Sequence, residues 1–539
     1  MRISAASGLA LRLRGHDRDT GAEARRESSR SLDDAEGRAR PRLIWPVLVA
    51  CLVLSALTLL FPSTPTYDPW AWILWGREIT QLDLTTTGGP SWKPLPVLFT
   101  VPFSIFGEHA APLLWLWVAR AGALLAIVMT FRLARRLVGG PAGIVAGLFA
   151  AAFLFSSFKY IRDAALGNSE ALLAALALWA FERHLDGRRD HALYLGFAAA
   201  LLRPEVWPFL GLYGLWLWFR EPELRVRMAV LAALIPLLWF GPEVWGSGEP
   251  FRAGSRANNP NKGSAAFADN PGLEVLRRFS QVTIKPLLAA ALIAVVHAGL
   301  AWFRRREQRA TLFLLLTGAA WLLLVAGMTA GGFAGNQRYL IVTTAAACVL
   351  GGIGLGRIFE WVQGAATRRA EDPRTGLAAA AGAFLLVIAA LSPVIGQKVD
   401  NARITLDSLR YEASIWEGLR EVVDEAGGKE RLLSCGGVYS GPFQTQMLAY
   451  TLGIHGIQVG WMETPAPGVA FRTRTVPTGP KVVQMTDSRF RQVASTRRWT
   501  VLTAPRPRKD PAGRDCPASS RYAPRVPAGP DTPDFRKTG

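Results

Sequence analysis

Thr66-Tyr67-Asp68-Pro69-Trp70-Ala71-Trp72 comes directly after the first long apolar run of this chain, and Ser91-Trp92-Lys93-Pro94-Leu95-Pro96 closes the stretch that follows. The first segment sets one carboxylate among aromatic rings at the end of a membrane-length run. The second ends in a basic residue and a Pro-Leu-Pro turn. An acid and a base in one loop at a membrane face point to a polytopic membrane enzyme that works on a lipid-linked substrate.

The rest of the sequence agrees with a membrane setting. Half of the 539 residues are hydrophobic, only 19% are charged, and the charges are bunched between apolar runs. Runs of about 20 apolar residues are long enough to cross the bilayer core. A soluble chain would spread its charges as amphipathic stripes. The formal net charge of +20 does not point to nucleic acid. Its arginines sit in short segments between apolar runs, as the positive-inside bias requires, and no basic stripe is interleaved with stacking aromatics on a polar domain.

The apolar runs predict an all-α polytopic domain over residues 42–396 with about 11 transmembrane helices. They fall at about 43–61, 111–131, 141–159, 169–182, 191–202, 205–219, 228–245, 284–303, 310–328, 338–359 and 376–396. The two runs 191–202 and 205–219 read as a broken pair hinged at Arg203-Pro204-Glu205. Arg38, Arg40 and Arg42 hold the N-terminus inside, and the loops 132–140, 183–190, 220–227, 304–309 and 357–374 are rich in arginine. That pattern predicts a cytoplasmic N-terminus and a multi-pass plasma-membrane protein whose C-terminal region lies outside.

Residues 1–41 carry charges of both signs and no apolar core. They read as a disordered cytoplasmic tail, not a cleavable signal peptide. Residues 397–504 read as a small extracytoplasmic α/β domain, with strands at 431–435 and 481–485 and helices at 410–426 and 442–452. Residues 505–539 are rich in Pro, Arg and Gly and read as a second disordered tail. Cys51 and Cys348 lie in apolar runs, as small hydrophobes do. Cys435 and Cys516 fall in the C-terminal region, where an oxidising compartment would let them pair.

The order of these features resembles the GT-C-fold glycosyltransferases, the multispanning class that includes protein mannosyltransferases and aminoarabinose transferases. The resemblance spans roughly residues 43–360. It rests on an acid in the loop after the first span, the Pro-Leu-Pro turn, Gly107 and Arg120 at the second span, an acid-bearing turn after the third, and Arg338-Tyr339 opening a late one. The Ala-, Arg- and Gly-rich composition is similar to that of actinobacterial chains. The resemblance implies an inverting transferase that takes sugar from a polyprenyl-phosphate donor. Its acceptor would be an envelope glycan, lipid or protein. The C-terminal domain lies outside the resemblance.

The resemblance also singles out residues. Asp68 is the expected base on the acceptor hydroxyl, although Asp68-Pro69 equally fits the N-cap and first position of a helix over 69–81. Asp163, beside Arg162, is the expected second acid, with Glu170 in reserve, and Arg162 and Glu170 are expected among the substrate-binding residues. An exposed Arg162–Asp163 ion pair, and capping by Asn168 or Ser169, are the plainer readings. Lys93 stands where the family has His before Pro-Pro-Leu, and Pro96 is displaced by one. It serves either as a point charge on the donor phosphate or as a snorkelling lysine.

Arg203 at the helix break and Arg338-Tyr339 at the mouth of a span are further phosphate candidates. Arg203 also has Glu205 within pairing distance in sequence. A charge inside a span costs about 2.5–3.5 kcal/mol, so Arg120 is expected to face the interior or water, as a substrate-binding group or else neutralising one of the external acids. Trp70, Trp72 and Trp75 read first as an interfacial aromatic belt and second as stacking platforms. The basic loop 246–283 is either ordered over the substrates or solvated.

No HExxH, CxxC or paired-His spacing suggests a metal, and no phosphate-binding glycine loop follows a strand. No cofactor is expected beyond the donor itself, and a divalent cation is not predicted. A transporter or lipid flippase, which also uses broken helices and intramembrane charges, and a non-catalytic scaffold are the competing classes.

Overall fold

Breaks at proline, glycine and paired polar residues decide how the apolar runs are divided. The computed structural model describes residues 44–261, 263–305, 308–506 and 515–519. The expected tail 1–41 lies outside the described residues, as do Lys262 and most of the expected tail 505–539.

The chain is largely helical. It runs through α1 (Ile44–Thr58), α2 (Tyr67–Thr80), α3 (Pro94–Phe103), α4 (Ala110–Val138), α5 (Gly140–Phe155), α6 (Phe158–Ala165), α7 (Glu170–Leu185), α8 (Arg189–Ala200) and α9 (Trp207–Arg220). It continues through α10 (Arg225–Ser247), α11 (Arg252–Ala257), α12 (Pro271–Val282), α13 (Lys285–Arg305), α14 (Arg309–Ala330), α15 (Ile341–Ala370) and α16 (Pro373–Glu425).

The expected count of about eleven spans is corrected. Among the described residues, six helices are long and apolar enough to cross a membrane, and seven if the bent pair α5–α6 is one span. The reason is length. The first expected span is the 15-residue α1, and α7, α8 and α9 have 16, 12 and 14 residues. At 1.5 Å per residue these cover about 18–24 Å, short of the roughly 30 Å hydrocarbon core. Asn168-Ser169, Gly187-Arg188, Arg203-Pro204 and Glu221-Pro222 interrupt the runs. At Ser156-Ser157 the chain bends by 65° from α5 into α6. The fold is nonetheless that of a multi-pass membrane protein with a small C-terminal sheet domain.

The helix α16 has 53 residues and crosses the expected boundary at 396–397 without a break. Its last turns pack under the sheet, where Trp499 Nε1 donates to the Ile415 carbonyl at 2.7 Å. After it come α17 (Lys429–Leu433), β1 (Gly437–Tyr439), α18 (Thr445–Leu452), β2 (Val459–Gly460), β3 (Gly468–Arg474), β4 (Lys481–Val482), β5 (Arg491–Ser495) and β6 (Trp499–Ala504). The strand order is β2-β1-β3-β6-β5, with β4 on β3. β1 is parallel to β2 and β3, and β6 is antiparallel to β3 and β5. The stretch expected as a strand at 431–435 is instead occupied by α17, and the one at 481–485 shortens to β4. Five residues are too few for periodicity to separate helix from strand.

Cys435 and Cys516 form a disulfide; Cys51 and Cys348 are buried and free.

The aromatic-belt reading is corrected as well. Trp70, Trp72 and Trp75 are 2%, 0% and 0% exposed. They belong to a core shared by α2, α3 and the C-terminal domain. The Trp70 ring lies 5.2 Å from that of Trp416 and 5.4 Å from that of Tyr450. Arg77 donates to the carbonyls of Tyr450 and Ile454 at 2.8 and 3.1 Å, covering orphan acceptors at the end of α18. The sheet domain therefore rests on the very helix that carries Asp68.

Candidate functional site

Thr66, not Asp68, occupies the N-cap of α2, and Asp68 lies inside the first turn. The Thr66 amide donates to the Leu166 carbonyl at 2.9 Å, which fixes the start of α2 against the α6–α7 turn. The Asp68 carboxylate is thereby free of any capping duty. It accepts a hydrogen bond from Arg338 Nη2 at 2.7 Å, across 270 positions of sequence.

Arg338 sits in the 3-10 turn Gln337–Leu340 that opens α15. Its Nη1 donates to Asn168 Oδ1 at 3.1 Å. Its Nε has no hydrogen-bond partner and lies 3.8 Å from Glu170, close enough for charge but not for a hydrogen bond.

Glu170 begins α7 and is 2% exposed. Its Oε1 accepts from Lys93 Nζ at 3.3 Å and from Arg203 Nη1 at 2.9 Å. Lys93 also donates to Ser169 Oγ at 3.0 Å and sits 5.0 Å over the Trp72 ring. The Leu95 amide, just beyond it, donates to the Leu201 carbonyl at 3.1 Å, anchoring the Pro-Leu-Pro turn beside the break that carries Arg203. Burial pushes the Lys93 ammonium below its ordinary value, against the pull of Glu170. Arg203 in turn donates to Glu205 Oε1 from Nε and Nη2, at 3.1 and 2.7 Å, and lies 3.8 Å over the Tyr339 ring.

Beside this network is a cavity. Its charged lining is Lys159 and Asp163 from α6, Glu170 from α7 and Arg338; Tyr160, Gln337 and Thr344 are among the other groups that border it. Three buried polar atoms on these side chains lack partners: Glu170 Oε2, Arg338 Nε and Thr344 Oγ1. Unsatisfied buried groups are uncommon and call for an explanation.

Asp68, Lys93, Glu170, Arg203, Arg338 and Tyr339 thus form one cluster, and Asp163 borders its cavity. Lys93 and Arg203 are enclosed by their carboxylates and do not line the cavity. The snorkelling reading of Lys93 is set aside by its burial. Two expected members lie elsewhere. Arg162 pairs with Glu412 of α16, not with Asp163. Arg120 meets no acid; it donates to the Thr58 carbonyl, Ser63 Oγ and the Ala165 carbonyl at 3.1, 2.8 and 2.8 Å, joining the end of α1 to the end of α6. Its donors are satisfied by the carbonyls that helix ends leave open.

Four groups escaped the sequence reading as site residues: Asn168, Ser169, Lys159 and Thr344. Asn168 and Ser169 were read as caps, but they accept from Arg338 and Lys93 instead. Lys159 lies four residues before Asp163, on the same face of a helix, and that spacing was the available signal. Nothing in the sequence marks Thr344.

The basic loop 246–283 is built into the structure. Arg252 reaches both oxygens of buried Glu243 at 2.7 and 3.0 Å and the Pro90 carbonyl at 3.0 Å. Thr86 Oγ1 donates to the same carboxylate at 2.9 Å. Among the described residues, no group of three or more His, Cys, Asp or Glu side chains is placed to hold a metal ion.

No family model and no curated protein matches the sequence. Solved structures do match the fold. Over 89% of this chain and all of the other, at 14% identity and a TM-score of 0.52, the structure matches the crystal structure of ArnT from Cupriavidus metallidurans bound to undecaprenyl phosphate. The fold is similar to that of ArnT. The same protein in its apo state matches at 15% identity and a TM-score of 0.50, over 85% of this chain and 98% of that one.

Proposed function

We propose that this chain is an integral membrane glycosyltransferase that moves a sugar from a polyprenyl-phosphate donor to an extracytoplasmic acceptor, with Asp68 as base. The observation that carries the reading is the 2.7 Å contact between Asp68 and Arg338 at the rim of a cavity that also meets Lys159, Asp163 and Glu170. A base and a cation at one point, beside helices long enough to span a bilayer, are what such a transfer needs. The undecaprenyl phosphate in the ArnT structure supports a polyprenyl-phosphate ligand. The Cys435–Cys516 disulfide supports an extracytoplasmic C-terminal domain, since such bonds persist in oxidising compartments.

In this reading the Asp68 carboxylate takes the proton of the acceptor hydroxyl as its oxygen bonds to the anomeric carbon. The bond from that carbon to the phosphate oxygen breaks, and the electron pair leaves with the phosphate. A single displacement inverts the anomeric centre. Arg338 meets the charge that grows on the leaving phosphate, and Lys159 adds a second cation at the cavity wall. Asp163 orients the acceptor. A positioned carboxylate base contributes about 10²–10⁴-fold.

The test is sugar transfer in membranes from cells that lack the protein and from cells re-supplied with it. Labelled polyprenyl-phosphate mannose and polyprenyl-phosphate arabinose serve as donors. Transfer is expected to return with the wild-type chain and to stay absent with Asp68→Asn at an equal protein level. Full recovery with Asp68→Asn would refute the role of the base and favour a scaffold.

A further inference from the structure

Arg338 stands between a carboxylate and a cavity, with one positive charge for both. On one side stands Asp68, accepting from Nη2 at 2.7 Å. On the other lies the cavity. Nη1 is committed to Asn168, which holds the guanidinium in place between the two.

Nε and Nη2 share one edge of the planar group, and that edge is the fork that takes two oxygens of a phosphate at once. Here only half of it is occupied. Nε is buried and has no hydrogen-bond partner, while Nη2 is held by Asp68. Nη2 carries two hydrogens and Asp68 accepts one, so the contest is for charge: a phosphate on this edge brings a second anion onto the one cation that Asp68 already holds. Of the three cations in the cluster, Lys93 and Arg203 are buried on Glu170 and Glu205. Arg338 alone of the three both lines the cavity and touches Asp68.

Resting on the reading that Arg338 takes the donor phosphate, we propose that Asp68 and the donor phosphate compete for Arg338, so that donor binding releases the base. In the empty site the Asp68 carboxylate is tied to a cation and is not free to meet an acceptor hydroxyl. Once the phosphate takes the Nε–Nη2 edge, the carboxylate turns to the acceptor hydroxyl. The order of events follows: the donor binds first, and the acceptor is activated only afterwards.

The charges run the same way through the reaction. A sugar phosphodiester carries one negative charge, and the polyprenyl monophosphate that leaves carries more. Asp68, having taken the acceptor proton, is neutral. Arg338 accordingly stays with the leaving phosphate until Asp68 gives up its proton, and the renewed Asp68–Arg338 pair then favours departure of the lipid. With no donor present, the base is held inactive and water is not activated in its place.

The experiment is equilibrium binding of undecaprenyl phosphate to the purified full-length protein in detergent, with undecaprenol as the uncharged control. Three chains are compared: wild type, Asp68→Asn and Arg338→Gln. Removing the competitor should make Asp68→Asn bind the phosphate tighter, by about tenfold if one ion pair of ~1.4 kcal/mol is relieved. Arg338→Gln should bind more weakly than wild type. Asp68→Ala serves as a second variant and should move the affinity in the same direction as Asp68→Asn. If Asp68→Asn and Asp68→Ala bind equally or more weakly while Arg338→Gln loses affinity, competition is refuted and the donor reading stands. If Arg338→Gln binds as the wild type does, or undecaprenol binds as well as its phosphate, both the donor reading and the competition fall.

Discussion

Arg203 and Glu170 share a 2.9 Å hydrogen bond where solvent scarcely reaches, their residues being 4% and 2% exposed. The same carboxylate oxygen takes Lys93 at 3.3 Å, and Arg338 stands 3.8 Å away. One carboxylate therefore holds three cations together.

Replacing Glu170 by Gln should destabilise the protein strongly. It keeps the shape but takes from Lys93 the carboxylate it pairs with, while Arg203 keeps Glu205 and Arg338 keeps Asp68. Removing one partner of a buried pair costs about 3–5 kcal/mol. Thermal unfolding in detergent should show a clearly lower midpoint for Glu170→Gln. Adding Lys93→Met should recover part of the loss, because it removes the stranded charge. An unchanged midpoint in Glu170→Gln would mean that the cluster is hydrated and not sealed.

Much of this cluster was legible in the sequence, because charges beside apolar runs are costly and must find partners. Arg203 was found on that ground, and Asp68, Glu170 and Arg338 by their place in the order of features that resembles the GT-C class. Which partner each one chose was not legible. Arg203 and Glu205 are two residues apart and do pair, as local sequence allows. Arg338 and Asp68 are 270 apart, and no local rule reaches that far. Arg120 was misassigned for a related reason: its partners are backbone carbonyls, which the sequence does not display.

The helices show the same limit in another form. Hydropathy located the apolar runs, but α7, α8 and α9 stop short of a full crossing where polar pairs and prolines cut them. Trp70 was misread because its cover, Trp416 and Tyr450, lies more than 300 residues away in sequence, and Trp72 and Trp75 because Trp115 and Trp92 fold over them.

The pair Arg252–Glu243 leads to a second prediction. Glu243 is 0% exposed and takes Arg252 and Thr86 together, and Arg252 also holds the Pro90 carbonyl three residues before Lys93. Arg252→Ala strands a buried carboxylate and should lower the unfolding midpoint, by the equivalent of about 3–5 kcal/mol. The double variant Arg252→Met, Glu243→Gln should lose less than Arg252→Ala alone. Equal losses would show that packing around the loop, and not the charge, is what matters.

The disulfide carries a third. Cys435 and Cys516 are 81 positions apart and close a loop that holds all six strands of the sheet. A native disulfide of this span typically contributes about 2–4 kcal/mol. The variant Cys435→Ser, Cys516→Ser should therefore unfold at a lower temperature. A reducing agent should lower the wild-type midpoint by a similar amount and leave that of the variant unchanged. A wild-type midpoint indifferent to reduction would rule the bond out as a stabiliser.

The last prediction concerns the clasp between α2 and the sheet domain. Glu78 lies on α2, the helix of Asp68, and is 1% exposed. Its Oε1 is 2.8 Å from His455 Nδ1, and its Oε2 accepts from the Thr85 amide at 3.1 Å. Asp83 stands 3.3 Å from His455 Nε2, and Arg77 adds a nearby cation. Burial raises the Glu78 carboxyl above the usual 4.5, against the opposing pull of Thr85, His455 and Arg77. The sign follows from linkage. The unfolded chain gives up this proton at lower pH than the folded protein does. Glu78 therefore takes away stability as pH rises from 4.5 toward its raised value. Glu78→Gln does not titrate and lacks that loss. The difference in unfolding midpoint, Glu78→Gln minus wild type, should increase across that window and then level off. A difference that shrinks with rising pH would mean that the His455 and Thr85 contacts outweigh burial, and that Glu78 is held ionised in the fold.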